Sequence, residues 1–203
     1  VFGRFTVHLL IGLGNPGLKY KNNRHNIGFQ VVDVLSKRWD ISLARRSCSA
    51  HWGKGLFAGQ EVVLAQPDTF MNLSGRAVFR LLAFFEASAG DLLIIHDDLD
   101  LPLGRLKFVT RGGAGGHRGI ASIINTIHNT EFVRLKIGIG RPQAGEPVVR
   151  FVLSPFYPAE REQLPVILAR AAAAVEAALL SGLSRAMSLF HGPPALTEQH
   201  PLP

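Results

Sequence analysis

Apolar residues in this chain fall into two patterns: short unbroken runs, and longer stretches in which they recur every three or four positions. These are the signatures of buried strands and amphipathic helices. Residues 7–14 (VHLLIGLG) are apolar, partly β-branched and closed by glycines, which predicts a buried first strand opening into a loop. From Asn26 onward, Ile27, Val31, Val34 and Leu35 follow helical spacing, with Asn26 placed as an N-cap and Trp39 near the end. His25 is therefore expected at a helix N-terminus.

Residues 49–57 and 61–66 read as two strands joined by Ala58, Gly59 and Gln60 in a hairpin. Residues 72–85 carry an apolar stripe at Leu73, Ala77, Leu81, Leu82 and Phe85, the mark of a helix, and LLIIHDDLD after Asp91 reads as a buried strand with an acidic end. Further strands are expected at 105–110 and 134–138, and helices at 120–127, 160–180 and 185–190. Alternation of strands and helices predicts a single three-layer α/β/α domain over residues 1–191, built on a mixed, mostly parallel twisted sheet. The Pro-rich stretch 192–203 has no periodicity and is expected to be a disordered tail.

The longest apolar candidate, residues 166–180, contains Arg170 and Glu176 and falls short of the about 18 residues that span a bilayer, so it is expected to be a packed helix. The N-terminus lacks the order of a signal peptide, and Cys48 is the only cysteine, so a cytoplasmic protein without disulfides or a CxxC metal site is expected. A formal net charge of +7 favours a polyanionic partner, nucleic acid first.

Several motifs carry chemistry. Gly12-Leu-Gly-Asn-Pro-Gly17 matches GxGxxG after a strand, but Pro16 and the absence of helical amphipathicity after Gly17 argue against a dinucleotide turn. The alternative is a turn presenting the Asn15 amide toward His25. A neutral histidine ahead of a helix is a candidate base, although a surface histidine beside Arg24 is the simpler local reading. Its orienting carboxylate is sought in His96-Asp97-Asp98, where strand alternation sends Asp97 to one face and His96 and Asp98 to the other. A divalent-metal site and a solvated turn are rivals there. Phe70, Met71 and Asn72 form a platform for a base or peptide, unless Asn72 or Ser74 merely caps the helix. Arg111 to Gly119, with four glycines ahead of His117 and Arg118, is a phosphate-cradle candidate without the Lys-Ser/Thr pair of a P-loop. GxSxG and HExxH are absent, which leaves a water-activating histidine.

GLGNPG with Tyr20 and RHN, then FMNLSG, HDDLDLP, GGAGGHRG and RLKIGIGRP, occur in an order that resembles bacterial peptidyl-tRNA hydrolase from about Val7 to His191. The resemblance implies metal-free, cofactor-free hydrolysis of the ester between a peptide and the terminal ribose of tRNA, by a monomer without an obligate protein partner. It implies that His25 is the catalytic base, Asp97 its supporting carboxylate and Asn15 the residue that tells N-blocked from free aminoacyl groups. Tyr20, Phe70, Met71 and Asn72 match groove positions, and Asn26 adjoins the base. Arg118 stands where the familiar pattern has Asn. Where family members hold the tRNA 5′ phosphate with a basic pair, this chain has Val109 and Lys136, so Lys107, Arg111 and Arg118 are expected to add charge. Plant plastid splicing factors resemble the same family, so a catalytically dispensable RNA-binding homologue is the alternative.

Overall fold

The computed structural model describes residues 7–192, and the expected tail from 193 onward lies outside them. Seven strands form one sheet: β1 (His8–Gly12), β2 (Arg45–Ser47), β3 (Ala50–Phe57), β4 (Gln60–Pro67), β5 (Leu92–Asp98), β6 (Leu106–Val109) and β7 (Val133–Gly138), in the order β2-β3-β4-β1-β5-β7-β6. The middle strands β4, β1, β5 and β7 run parallel, and antiparallel pairs close both edges. The β3–β4 hairpin is tighter than expected. Ala58 (φ 50°) and Gly59 (φ 79°) form the two-residue turn, a conformation that suits the twist of the strands it joins.

Among the described residues six α-helices cover the sheet: α1 (Ile27–Arg38), α2 (Ser74–Phe84), α3 (Arg118–Ile127), α4 (Val148–Val152), α5 (Pro158–Ser181) and α6 (Leu183–Phe190). Because side chains alternate along a strand, β1 sends Leu10 to one core with Ile27, Val31 and Leu35 of α1, and Leu9 and Ile11 to the other with Val78 of α2 and Ile123 of α3. These two cores make the three layers anticipated from the pattern. Two short elements were not anticipated, edge strand β2 and the five-residue α4.

Helix α5 is longer than the apolar stretch 166–180 implied, and by length and composition it is sufficient to cross a membrane. Here its Ile167, Ala171, Ala172, Ala174 and Val175 are buried on the domain. The two charges within its apolar stretch are bonded there too: Glu176 accepts from Trp39 Nε1 at 3.1 Å and Arg170 donates to the Phe190 carbonyl at 3.1 Å.

One close approach positions the site. A Cβ on Gly12 would lie 2.2 Å from the Gly28 carbonyl oxygen, and one on Gly28 would lie 2.3 Å from the Ile95 carbonyl oxygen. Only glycine at both positions lets the start of α1 sit on the ends of β1 and β5, which brings His25 over Asp97.

Candidate active site

Parallel neighbours β1 and β5 end at the same edge of the sheet, so the loop after β1 and the acidic end of β5 face one opening. Residues Arg24–Asn26 form a 3-10 turn ahead of α1, and His25 on that turn is 8% exposed. Its Nδ1 lies 2.8 Å from Asp97 Oδ1. His117 Nε2 lies 3.0 Å from the same oxygen.

The second nitrogen of His117 fixes the proton positions. His117 is the N-cap of α3, and its Nδ1 accepts from the amides of Gly119 (3.1 Å) and Ile120 (3.3 Å), so the ring proton is on Nε2 and points at Asp97. A carboxylate oxygen accepts, so His25 donates from Nδ1, and its Nε2 keeps a lone pair with no partner among the described residues. Burial opposes charge on Asp97, but the histidines His25 and His117 that meet its Oδ1 outweigh it and hold the carboxyl well below the usual carboxylate range.

His96 and Asp98 line the same cavity as Asp97, which opens across the end of the sheet, and the alternation expected from the pleat holds to the strand end: Asp98 pairs with Lys136, the β7 partner of His96, while Asp97 turns to His25. Burial, then the neighbouring His117, pushes the His96 ring well below the ordinary imidazole value. Its Nδ1 donates to the Asp97 carbonyl at 2.7 Å and its Nε2 is buried without a partner.

Asn26 occupies the N-cap position of α1, yet its side chain does not cap the helix. It instead clasps the β1 loop: Asn26 Oδ1 accepts from the Asn15 amide at 3.0 Å, and Nδ2 donates to the Asn15 carbonyl at 2.9 Å. Asn15 Oδ1 then accepts from the Met71 amide at 2.8 Å, which leaves the Asn15 Nδ2 donor free of bonds among the described residues. Asn15 thus bonds to Asn26 and Met71 and makes no bond to His25. Phe70 is half exposed and meets Tyr20 edge-on at 6.3 Å. Neither Asn72 nor Ser74 caps α2: Ser74 donates to the Met71 carbonyl at 2.8 Å, and Asn72 is exposed.

A cavity of about 500 Å³ gathers most of the residues singled out from the sequence: Asn15, Tyr20, His25, Phe70, Met71, Asn72, Asp97, His117 and Arg118. Asn26 belongs to a neighbouring cavity. Lys107 and Lys136 line neither; they face each other across the β6–β7 register, and Lys136 is paired with Asp98. Arg111 and Arg118 are exposed, and the glycine loop between them is anchored from beneath by buried Arg134, which donates to the Gly112 and Gly113 carbonyls. Those carbonyls are therefore turned to Arg134. Gly17 is followed by the 3-10 turn Leu18–Tyr20, so no α-helix opens where a dinucleotide pyrophosphate would need one.

His25, Asp97 and His117 are the set of described side chains whose ligand atoms cluster within 4.8 Å. The bond lengths and the capped Nδ1 of His117 place protons, not lone pairs, toward Asp97, so a divalent ion would have to displace both.

Two contributors escaped the sequence. Val148, Val149, Val152 and Leu153, in and beside α4, form an apolar wall of the cavity. Arg24, fully buried, holds that wall: Nη1 donates to the carbonyl of Pro155 at 2.6 Å and of Phe151 at 3.4 Å, Nη2 pairs with Glu160 at 2.7 Å, and the guanidinium stacks 4.0 Å from the Phe151 ring centre. The signal that remained legible was an arginine beside the candidate base, with a glutamate at the start of a later helix.

A family model described as peptidyl-tRNA hydrolase matches residues 9–199. The chain is 47% identical over 186 residues to a peptidyl-tRNA hydrolase of Dehalococcoides mccartyi, covering 90% of this chain and 98% of that one. It is 46% identical over 183 residues to one of Carboxydothermus hydrogenoformans, covering 90% and 97%. A crystal structure of peptidyl-tRNA hydrolase from Acinetobacter baumannii is similar at TM-score 0.86 and 33% identity, covering 92% of this chain and 95% of the other.

Proposed function

The chain belongs to the peptidyl-tRNA hydrolase family, and from that premise we propose that His25 is the general base with which it hydrolyses the ester between a peptide and the 3′ ribose of tRNA. The observation that carries this assignment is the geometry of His25: Nδ1 lies 2.8 Å from Asp97 Oδ1 and is committed to it, which leaves Nε2 as the nitrogen available in the cavity.

A water molecule bonded to Nε2 attacks the ester carbonyl carbon and gives its proton to the ring. Asp97, already ionised, stabilises the imidazolium that forms. The tetrahedral intermediate collapses, the carbon–oxygen bond to the ribose breaks, and the leaving 3′ oxygen takes the proton from Nε2. Peptide acid and tRNA 3′ hydroxyl are released, and the histidine returns to its starting tautomer. Asn15 Nδ2 and Asn72 are donors for the peptide carbonyl and the water, while Tyr20, Phe70 and Met71 contact the terminal nucleotide and the esterified residue. His117 positions Asp97 by sharing its oxygen and is not itself a base, since its Nδ1 is occupied by two amides.

Lys107, Arg111, Arg118 and Lys136 hold phosphates of the tRNA by charge. The enzyme works as a monomer in the cytoplasm, needs no metal or other cofactor, and has residues 1–191 as its single domain. The reading as a dispensable splicing homologue is not favoured, because the matched relatives are named as hydrolases. Purified protein should release N-acetyl-amino acid from N-acetyl-aminoacyl-tRNA and leave free aminoacyl-tRNA intact. Binding of both without turnover would return the splicing-factor reading.

A further inference from the structure

The site cavity is flanked along the sheet by surfaces of opposite character. Toward β7 and β6, Lys136 and Lys107 face each other, Arg105 immediately precedes β6, and Arg111 and the cavity-lining Arg118 flank the glycine loop that follows it. The acidic groups there, Asp98 and Asp100, are already paired with Lys136 and Arg141. Toward β4 and β3 lies the second cavity, about 460 Å³ in volume, within the usual range for a ligand pocket. It meets the site cavity at Asn15, which lines both.

The chemistry of this second cavity is mixed. Lys21 and Arg46 are matched in number by Asp33 and Asp68, and Phe29 and Pro67 supply apolar wall. Gln66 is held by the Phe29 carbonyl (3.1 Å) and Asp33 (2.7 Å), and Gln30 by the Lys21 carbonyl (3.3 Å), so both amides present their oxygens from fixed positions. A polyanion gains nothing from a cavity whose cations and carboxylates balance, whereas a row of uncharged amides finds donors, acceptors and apolar contact.

A peptidyl-tRNA ester has a polyanion on one side of the scissile bond and a chain of amides on the other. With the RNA drawn to the basic flank, the peptide is left the opposite direction, across Asn15. We propose that the second cavity is the subsite for the peptide residues preceding the esterified one, which cross the free Asn15 donor and lie against Phe29, Gln30 and Gln66. This inference rests on the peptidyl-tRNA reading of the site.

The test compares kcat/KM for N-acetyl-aminoacyl-tRNA and an N-acetyl-tetrapeptidyl-tRNA with the same tRNA and the same esterified residue. Wild type should favour the longer substrate by about tenfold, the equivalent of about 1.4 kcal/mol of extra contact. Gln30→Trp, which fills the cavity, should bring that ratio close to one through KM. Arg46→Trp, on the exposed edge strand β2, should narrow the same cavity without disturbing α1 and lower the ratio likewise. Lys107→Gln on the basic flank should raise KM for both substrates alike and keep the ratio. The proposal is overturned by a wild-type ratio of one, by tryptophan variants that weaken both substrates equally, or by tryptophan variants that weaken inhibition by uncharged tRNA. Failure of wild type to cleave either ester would overturn the hydrolase reading and the subsite with it.

Discussion

Arg24 and His25 are neighbours in the chain, and both are buried polar groups, yet their surroundings differ in one respect. The guanidinium of Arg24 is enclosed by carbonyls, Glu160 and the rings of Phe151 and Tyr157, so its charge is spent within the fold. The ring of His25 is tied at Nδ1 alone, and its Nε2 is left open to a cavity. Arg24 Nε lacks a partner too, but it is sealed inside the fold, where the bonded charge holds structure in place. A vacancy that opens on a cavity, opposite a fixed carboxylate, is able to do chemistry.

That contrast can be broken from either side. Asp97→Asn removes the charge that supports an imidazolium at His25, and kcat should fall on the order of 10³-fold, about 4 kcal/mol, with KM little changed. Steady-state kinetics on N-acetyl-aminoacyl-tRNA check it, and a loss confined to KM would show that Asp97 only shapes the groove. Arg24→Met leaves Glu160 without its partner and should cost about 3 kcal/mol of stability in denaturant unfolding, as breaking a buried pair does. Because the 148–153 wall loses its anchor, KM should rise more than kcat falls, and Arg24→Lys should recover part of the stability. Stability unchanged in Arg24→Met would mean that the buried cluster is incidental.

The smallest effect concerns His96, which is buried neutral between these regions. Its folded pKa is depressed, so below about pH 6.5 the unfolded chain binds a proton that the folded chain refuses. Stability should therefore decline as pH falls through that range, by up to about 1.4 kcal/mol per pH unit from this group. His96→Gln should flatten that part of a plot of unfolding free energy against pH, and an identical slope in the variant would remove His96 from the account.

Much of the fold was legible because long periodic segments impose their partners. VHLLIGLG and LLIIHDD were readable as strands, and the 160–180 pattern as a helix, from burial alone. The five residues VVRFV were not, since one turn of helix has no period to detect, and the wall they form depends on Arg24 reaching a segment about 130 positions away. Local sequence also misdirected the reading of the site. An arginine beside a histidine implies a solvated surface, and Asn26 ahead of an apolar stripe implies a cap. In the fold both side chains look inward, Arg24 to the 151–160 segment and Asn26 to the Asn15 backbone. Long-range contacts decided these uses, and they leave no mark on spacing. Most of the residues picked out by the ordered motifs do line one cavity, but the bonds of His117 to its capping amides and to Asp97 came into view only in the fold.

The central claim is that the open nitrogen of His25 takes the proton from water. Hydrolysis of N-acetyl-aminoacyl-tRNA by His25→Ala, with and without added imidazole, tests it most directly. The account predicts a kcat at least about 10²-fold below wild type, nearly unchanged KM and unfolding midpoint, and partial recovery of rate by imidazole. A His25→Ala protein that turns over at close to the wild-type rate would contradict it.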